Sequence, residues 1–118
     1  MNQGVKEGKK AKAPKTKTTS AKDLELASED IKKAALILRA LNHQLRQRIL
    51  TFIHKNERTT VTQIYTKLRL EQSVTSQHLA VMRKAGFLYT EREGQNILYS
   101  VNYKRMTDVQ NFAKAMIG

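Results

Sequence analysis

Apolar residues return every three or four positions along most of this chain, give way to alternation near residue 87, and then resume the helical spacing. The first run is Leu24, Ala27, Ile31, Ala34, Leu38 and Leu41, one stripe of a long helix. Ser20 and Ser28 both qualify as its cap, and the pattern does not choose between them. Leu36 and Ile37 widen the apolar face beyond what one neighbour needs, which points to a partner chain. Asn42 is suited to cap a second helix over about 43–55, with Leu45, Ile49, Leu50 and Ile53 inward. The stretch "NERTT" (56–60) breaks the period. Thr60 followed by Gln63 then has the spacing of a capping box, opening a short third helix with Val61, Ile64, Tyr65 and Leu68 inward.

A fourth helix lies within "SVTSQHLAVMRKAGF" (73–87). At about 100° per residue, Thr75, Leu79 and Met82 fall within one sector and Ser73, Gln77, Ala80 and Lys84 fall opposite, with Ser76 at their flank. One face suits a core and the other offers hydroxyl and amide groups around a small Ala80. Gly86 fits the position just past the helix end. The β-prone runs "FLYTER" and "NILYSV" follow, joined through "EGQ", where Gly94 supplies a turn position with positive φ. Asn102 caps a last helix carrying Tyr103, Met106, Val109, Phe112, Ala113, Met116 and Ile117 as one apolar stripe. No internal repeat is visible. The predicted class is mainly α with a small β-hairpin, in the order α-α-α-α-β-β-α. A short helix, a tight turn, a helix with a polar outer face and then a hairpin make a winged helix-turn-helix.

Charge sharpens this picture. The chain has 22 Lys and Arg against 10 acids, a net of +12. Residues 1–22 hold seven Lys and one Glu, so the remaining +6 belongs to the rest of the chain and the basic character is not only a tail effect. A polyanion, most often nucleic acid, is the expected partner. Residues 1–22 are Lys-, Thr- and Ala-rich and cannot bury enough apolar area to offset chain entropy, so a disordered tail is expected there and a folded domain over 23–118. The tail's lysines would either hold phosphates loosely or only aid solubility. No apolar run reaches the roughly 18–20 residues of a membrane span, and no apolar stretch near the start resembles a secretory signal, so a cytoplasmic location is expected.

A polar helix face in this setting suits the DNA major groove, where amides and hydroxyls read base edges and Gln pairs bidentately with adenine. The residues expected to face DNA are Gln72, Ser73, Ser76, Gln77, His78 and Lys84. His78 lies about 60° off the core axis of its helix, so a half-buried structural role competes with a DNA contact. His43 is expected at the surface just after the Asn42 cap, and His54 near the last turn of its helix, where a protonated ring would be favourable. For Arg46 and Arg48, a phosphate contact and a solvated face are equally open.

"LRALNHQLRQRIL" (38–50), "SVTSQHLAVMRKAGFL" (73–88) and "EREGQNILYSV" (91–101) together resemble the ArsR/SmtB family of winged-helix repressors, over roughly residues 24–118. The resemblance implies a homodimer whose first and last helices form the interface, here through Leu24, Ile31, Leu38, Tyr103, Met106, Val109, Phe112 and Met116. It also implies repression from an imperfect palindrome near a promoter. Ser73, Ser76, Gln77 and His78 match the family's DNA-facing positions, and Arg92, Gln95 and Asn96 match its wing. Two departures stand out. Glu71 occupies a position that is often a capping Ser, and the tip "EGQN" is poorer in Arg than usual.

The family's metal sensing is not expected here, nor is any cofactor. One sensor type uses Cys pairs, and this chain has no cysteine. The other uses Asp and His in the last helix with further His or Glu; Asp108 is present, but no His follows His78. Zinc needs three or four ligands, and His43, His54 and His78 fall on different predicted helices without a close-spaced pair. An effector, if one exists, would be a small molecule or a partner protein, with no readable residue pattern. Enzyme chemistry is not expected, for want of a nucleophile–base pattern, a phosphate-binding glycine loop or clustered acids. A protein-interaction adaptor is the main alternative and would need a sizeable apolar patch beyond the dimer seam. RNA binding would need exposed aromatics for stacking, and the seven aromatics mostly fall on core or strand positions.

Overall fold

A computed structural model of the chain describes the backbone of residues 21–118 and the side chains of residues 27–118. Helix α1 is Ala21–Leu41, α2 is Gln44–Asn56, strand β1 is Thr59–Thr60, α3 is Val61–Leu68 and α4 is Gln72–Lys84. Strand β2 (Leu88–Glu93), strand β3 (Asn96–Val101) and helix α5 (Tyr103–Ile117) complete the chain. The expected winged helix-turn-helix is present, with one addition. The two-residue β1 pairs antiparallel with β3, Thr59 with Tyr99 and Thr60 with Leu98, and makes a three-stranded sheet of order β1-β3-β2. Helix α1 begins two residues inside the stretch assigned to the tail, and residues 1–20 lie outside the described ones. The chain divides into two units between Lys33 and Ala34, the second being Ala34–Gly118.

The core belongs to the second unit. Ile49, Ile53, Ile64, Leu79, Met82 and Phe87 are fully buried, with Ala40, Leu50, Leu88, Val101 and Val109 around them. Each fully buried large side chain of this kind contributes about 1.5–3 kcal/mol relative to exposure. Thr75 is buried within the apolar stripe because its hydroxyl donates to the Glu71 carbonyl one turn back, at 2.9 Å.

Local signals set most boundaries. Thr60 accepts from the Gln63 amide nitrogen while the Gln63 side chain accepts from the Thr60 backbone, so the capping box is complete. Gly86 (φ 88°) and Gly94 (φ 63°) occupy the expected left-handed positions. A Cβ on Gly86 would come within 2.9 Å of the Arg105 Nε, but that flexible side-chain end can give way, so it is the positive φ that favours glycine there. Asn102 caps α5 by accepting from the Arg105 amide, and its own amide group donates to the Gly86 carbonyl at 2.9 Å. One cap differs from expectation. Helix α2 is capped by His43, not Asn42: the Asn42 amide still bonds back to Leu38 of α1, so the extended cap residue is the next one. The "NERTT" break is a tight turn about Glu57 (φ 65°), closed by the Arg58 amide donating to the Asn56 carbonyl at 2.6 Å.

Candidate nucleic-acid interface

Helix α4 divides as its sequence predicts. Thr75, Leu79 and Met82 are its buried residues, while Gln72, Ser73, Ser76, Gln77, Ala80 and Lys84 are exposed. Among the described residues, none of the exposed polar side chains holds an intramolecular hydrogen bond. Their donors and acceptors face solvent. Glu71, at the cap position of α4, makes no side-chain cap bond. Arg83 and Lys84 sit in the last turn, where cations favour the helix dipole.

His78 is different. It is half-buried, and its Nδ1 accepts from the Arg46 Nε at 3.2 Å. Its ring lies 4.8 Å from that of His43, centroid to centroid. The two histidines, 35 positions apart in sequence, are thus neighbours in space, because the turn before α2 packs beside α4. His43 is half-buried rather than at the surface, with its Nδ1 accepting from the Arg46 amide at 3.4 Å. Arg46 also donates through one terminal nitrogen to the Ala40 carbonyl at 3.2 Å and the Arg39 carbonyl at 3.4 Å. Its guanidinium is committed within the chain, whereas Arg48 is exposed. Burial from water, then the charges of His43 and Arg46, hold His78 below the ordinary imidazole pKa of 6.5. His54 lies in the last turn of α2, as expected, and also meets the Tyr103 hydroxyl of the last helix at 2.7 Å.

The wing is β2–β3, and Arg92, Gln95 and Asn96 are all exposed on it. Side chains alternate across the sheet, so Glu91 and Glu93 share one face and Arg92 lies on the other. Arg58 sits 3.7 Å from Glu91 and 3.3 Å from Glu93. Sequence reasoning missed Arg58, whose link to the wing exists only through the pairing of β1. The Arg92 guanidinium reaches the Gly94 carbonyl at 3.4 Å and stays at the wing tip.

The residues assigned to the dimer interface do not share one environment. Val109 is buried in the chain's own core, and Leu38 and Met106 are half-buried against it, so most of their apolar area is already covered. Ile31, Tyr103, Phe112 and Met116 are exposed, as are Leu36 and Ile117. Leu24 lies among the residues whose side chains are not described. With Tyr89, Tyr103 and Phe112 exposed, the aromatics are less buried than the sequence suggested. Asp108 pairs with Lys104 at 3.2 Å across one helical turn. Among the described residues, no three His, Cys, Asp or Glu side chains are grouped as metal ligands, and no helix is long and apolar enough to cross a membrane.

This arrangement of a turn-linked helix pair, a polar helix face and a hairpin wing has known counterparts. Residues 43–90 match the bacterial regulatory protein, arsR family. The chain is 32% identical over 80 residues to the transcriptional activator HlyU of Vibrio cholerae, covering 68% of this chain and 73% of that protein. The chain belongs to the ArsR family. It is 36% identical over 75 residues to the transcriptional repressor PagR of Bacillus anthracis, covering 64% of this chain and 75% of PagR. The crystal structure of NolR from Sinorhizobium fredii shares the fold with a TM-score of 0.62 at 29% identity, covering 85% of this chain and 96% of NolR. This ArsR-family chain is a DNA-binding transcription regulator, and its named relatives are regulators rather than enzymes.

Proposed function

We propose that this chain acts as a homodimeric repressor that reads an imperfect palindrome in double-stranded DNA through α4, without the family's usual metal sites. The observation that carries the reading is the exposed polar face of Ser73, Ser76, Gln77 and Lys84 around Ala80, on a helix whose other face is locked in the core. Gln72 borders that face, and Arg92, Gln95 and Asn96 supply wing contacts alongside it. Two recognition helices about one helical turn apart would enter successive major grooves. Exposed Tyr103, Phe112, Met116 and Ile117 on α5 are the apolar area a second copy would cover, with Val109, Met106 and Leu38 beneath it. A complete lack of cysteine excludes thiolate sensing, and Asp108 is engaged by Lys104. PagR is a repressor and HlyU an activator. Repression requires only occupancy of a promoter, whereas activation needs a further contact. The lysines among residues 1–22 add salt-sensitive, sequence-independent affinity. The protein acts in the cytoplasm, where its DNA lies.

The test is an unbiased selection of duplex DNA by the purified protein at near-physiological salt, with and without zinc, paired with light scattering. The expected result is a two-fold-related motif, unaffected by zinc, bound by a species of twice the chain mass. Recovery of unrelated sequences that salt removes steeply would overturn sequence reading and favour the adaptor role.

A further inference from the structure

Arg46 joins three parts of the fold. Its terminal nitrogen donates to the Arg39 and Ala40 carbonyls at the end of α1, its own amide is received by His43 at the start of α2, and its Nε donates to His78 on α4. A guanidinium has donors only and never loses its proton in a protein. The His78 Nδ1 facing it must therefore carry a lone pair, which puts the ring proton on Nε2. The same argument fixes the His43 Nδ1 as an acceptor. This link runs directly from the terminal turn of α1 to the centre of the helix that faces DNA.

We propose that Arg46 is a positioning residue for DNA reading, which clamps α4 to the end of α1 through a neutral His78 and releases it when that imidazole takes up a proton. The inference rests on the reading of α4 proposed above. A proton on His78 Nδ1 would face the Arg46 donor with a second donor and a second positive charge. Among the described residues, the charged and titratable groups facing His78 are His43 and Arg46, both from the α2 segment, and α1 contributes backbone carbonyls through Arg46. Burial, His43 and Arg46 all oppose protonation of His78. The folded-state pKa of His78 is lowered, so the clamp is whole above about 6.5 and is lost as pH falls through the lowered value.

The expected sign is distinctive. Acid adds positive charge and by itself strengthens binding to any duplex. Release of α4 weakens binding to the selected site alone, so the ratio of specific to non-specific affinity should fall. The experiment is fluorescence anisotropy from pH 8 to pH 5 with two labelled duplexes, one selected by the wild-type protein and one scrambled. In the wild type the ratio should fall about ten-fold, the worth of one charge-assisted hydrogen bond. His78→Gln offers a permanent neutral acceptor and should flatten the profile whatever its absolute affinity, while His54→Gln should leave the fall in place. Arg46→Met should lower the ratio at pH 8 without weakening scrambled-duplex binding. A flat wild-type ratio, or a fall that persists in His78→Gln, would overturn the clamp. Nitrogen-15 NMR of the unbound protein reads it independently of DNA. His78 should carry its proton on Nε2 and titrate below about 6.5, and a proton on Nδ1 at pH 8 overturns the proposal. A protein that selected no duplex but showed the Nε2 tautomer would sink the reading of α4 and leave the clamp standing.

Discussion

Helices α3 and α4 are neighbours in one motif, separated by three residues, yet they are held in opposite ways. Helix α3 is stabilised locally. Its first turn is closed by the Thr60–Gln63 box, and its end by Arg69 in the left-handed region (φ 57°), whose amide bonds back to Thr66 and Tyr65. Helix α4 has no side-chain cap at Glu71, and its polar groups face outward. Its stability comes from Thr75, Leu79 and Met82 in the core and from Arg46 on His78. The contrast suits the reading role proposed for α4. Side chains that cap or brace their own helix cannot also meet a base, so α4 is fixed by tertiary contacts and keeps its outer groups uncommitted.

The largest effect is expected where α4 depends most on packing. Leu79→Ala should destabilise the fold by about 2–5 kcal/mol, measured by urea denaturation, and a loss below about 1 kcal/mol would mean the buried stripe does not hold the helix. Next comes the outer face. Gln77→Ala should weaken binding by about 1–3 kcal/mol at one base position, with folding stability within about 0.5 kcal/mol of wild type. If all site variants bound unchanged, Gln77 would not read a base. Thr60→Ala should cost about 1 kcal/mol of stability through the lost cap and leave base preference intact, since that side chain serves only α3. An altered base preference in this variant would blur the contrast between the helices. The smallest change is a gain: Glu71→Ser supplies the cap that α4 lacks and should add roughly half a kcal/mol to stability. A thermal melt showing a loss instead would mean that Glu71 already serves the helix dipole better than a cap would.

What was legible in the sequence follows the same division. Helix α3, the two faces of α4, the Gly94 hairpin and the Asn102 cap all depend on residues a few positions apart, so period and cap spacing reveal them. The contacts that were missed join distant residues. Arg46 and His78 are 32 positions apart, and Arg58 and Glu93 are 35 apart. The two-residue β1 has no period of its own and exists because β3 offers an edge. Asn42 and His43 show a subtler limit. Both side chains can cap a helix, and the choice fell to how the end of α1 spends the Asn42 amide. On α5, an apolar stripe does not distinguish Val109, which the core takes, from Phe112 and Met116, which it leaves exposed.

The most direct test of α4 as the reading element is photocrosslinking from position 77 to a duplex selected by the wild-type protein. A photoreactive residue at 77 should label one base in each half-site, at positions related by two-fold symmetry, and unlabelled specific duplex should compete the label away. Labelling spread evenly along the duplex, or found only when the photoreactive residue is moved to position 95 on the wing, would contradict the account.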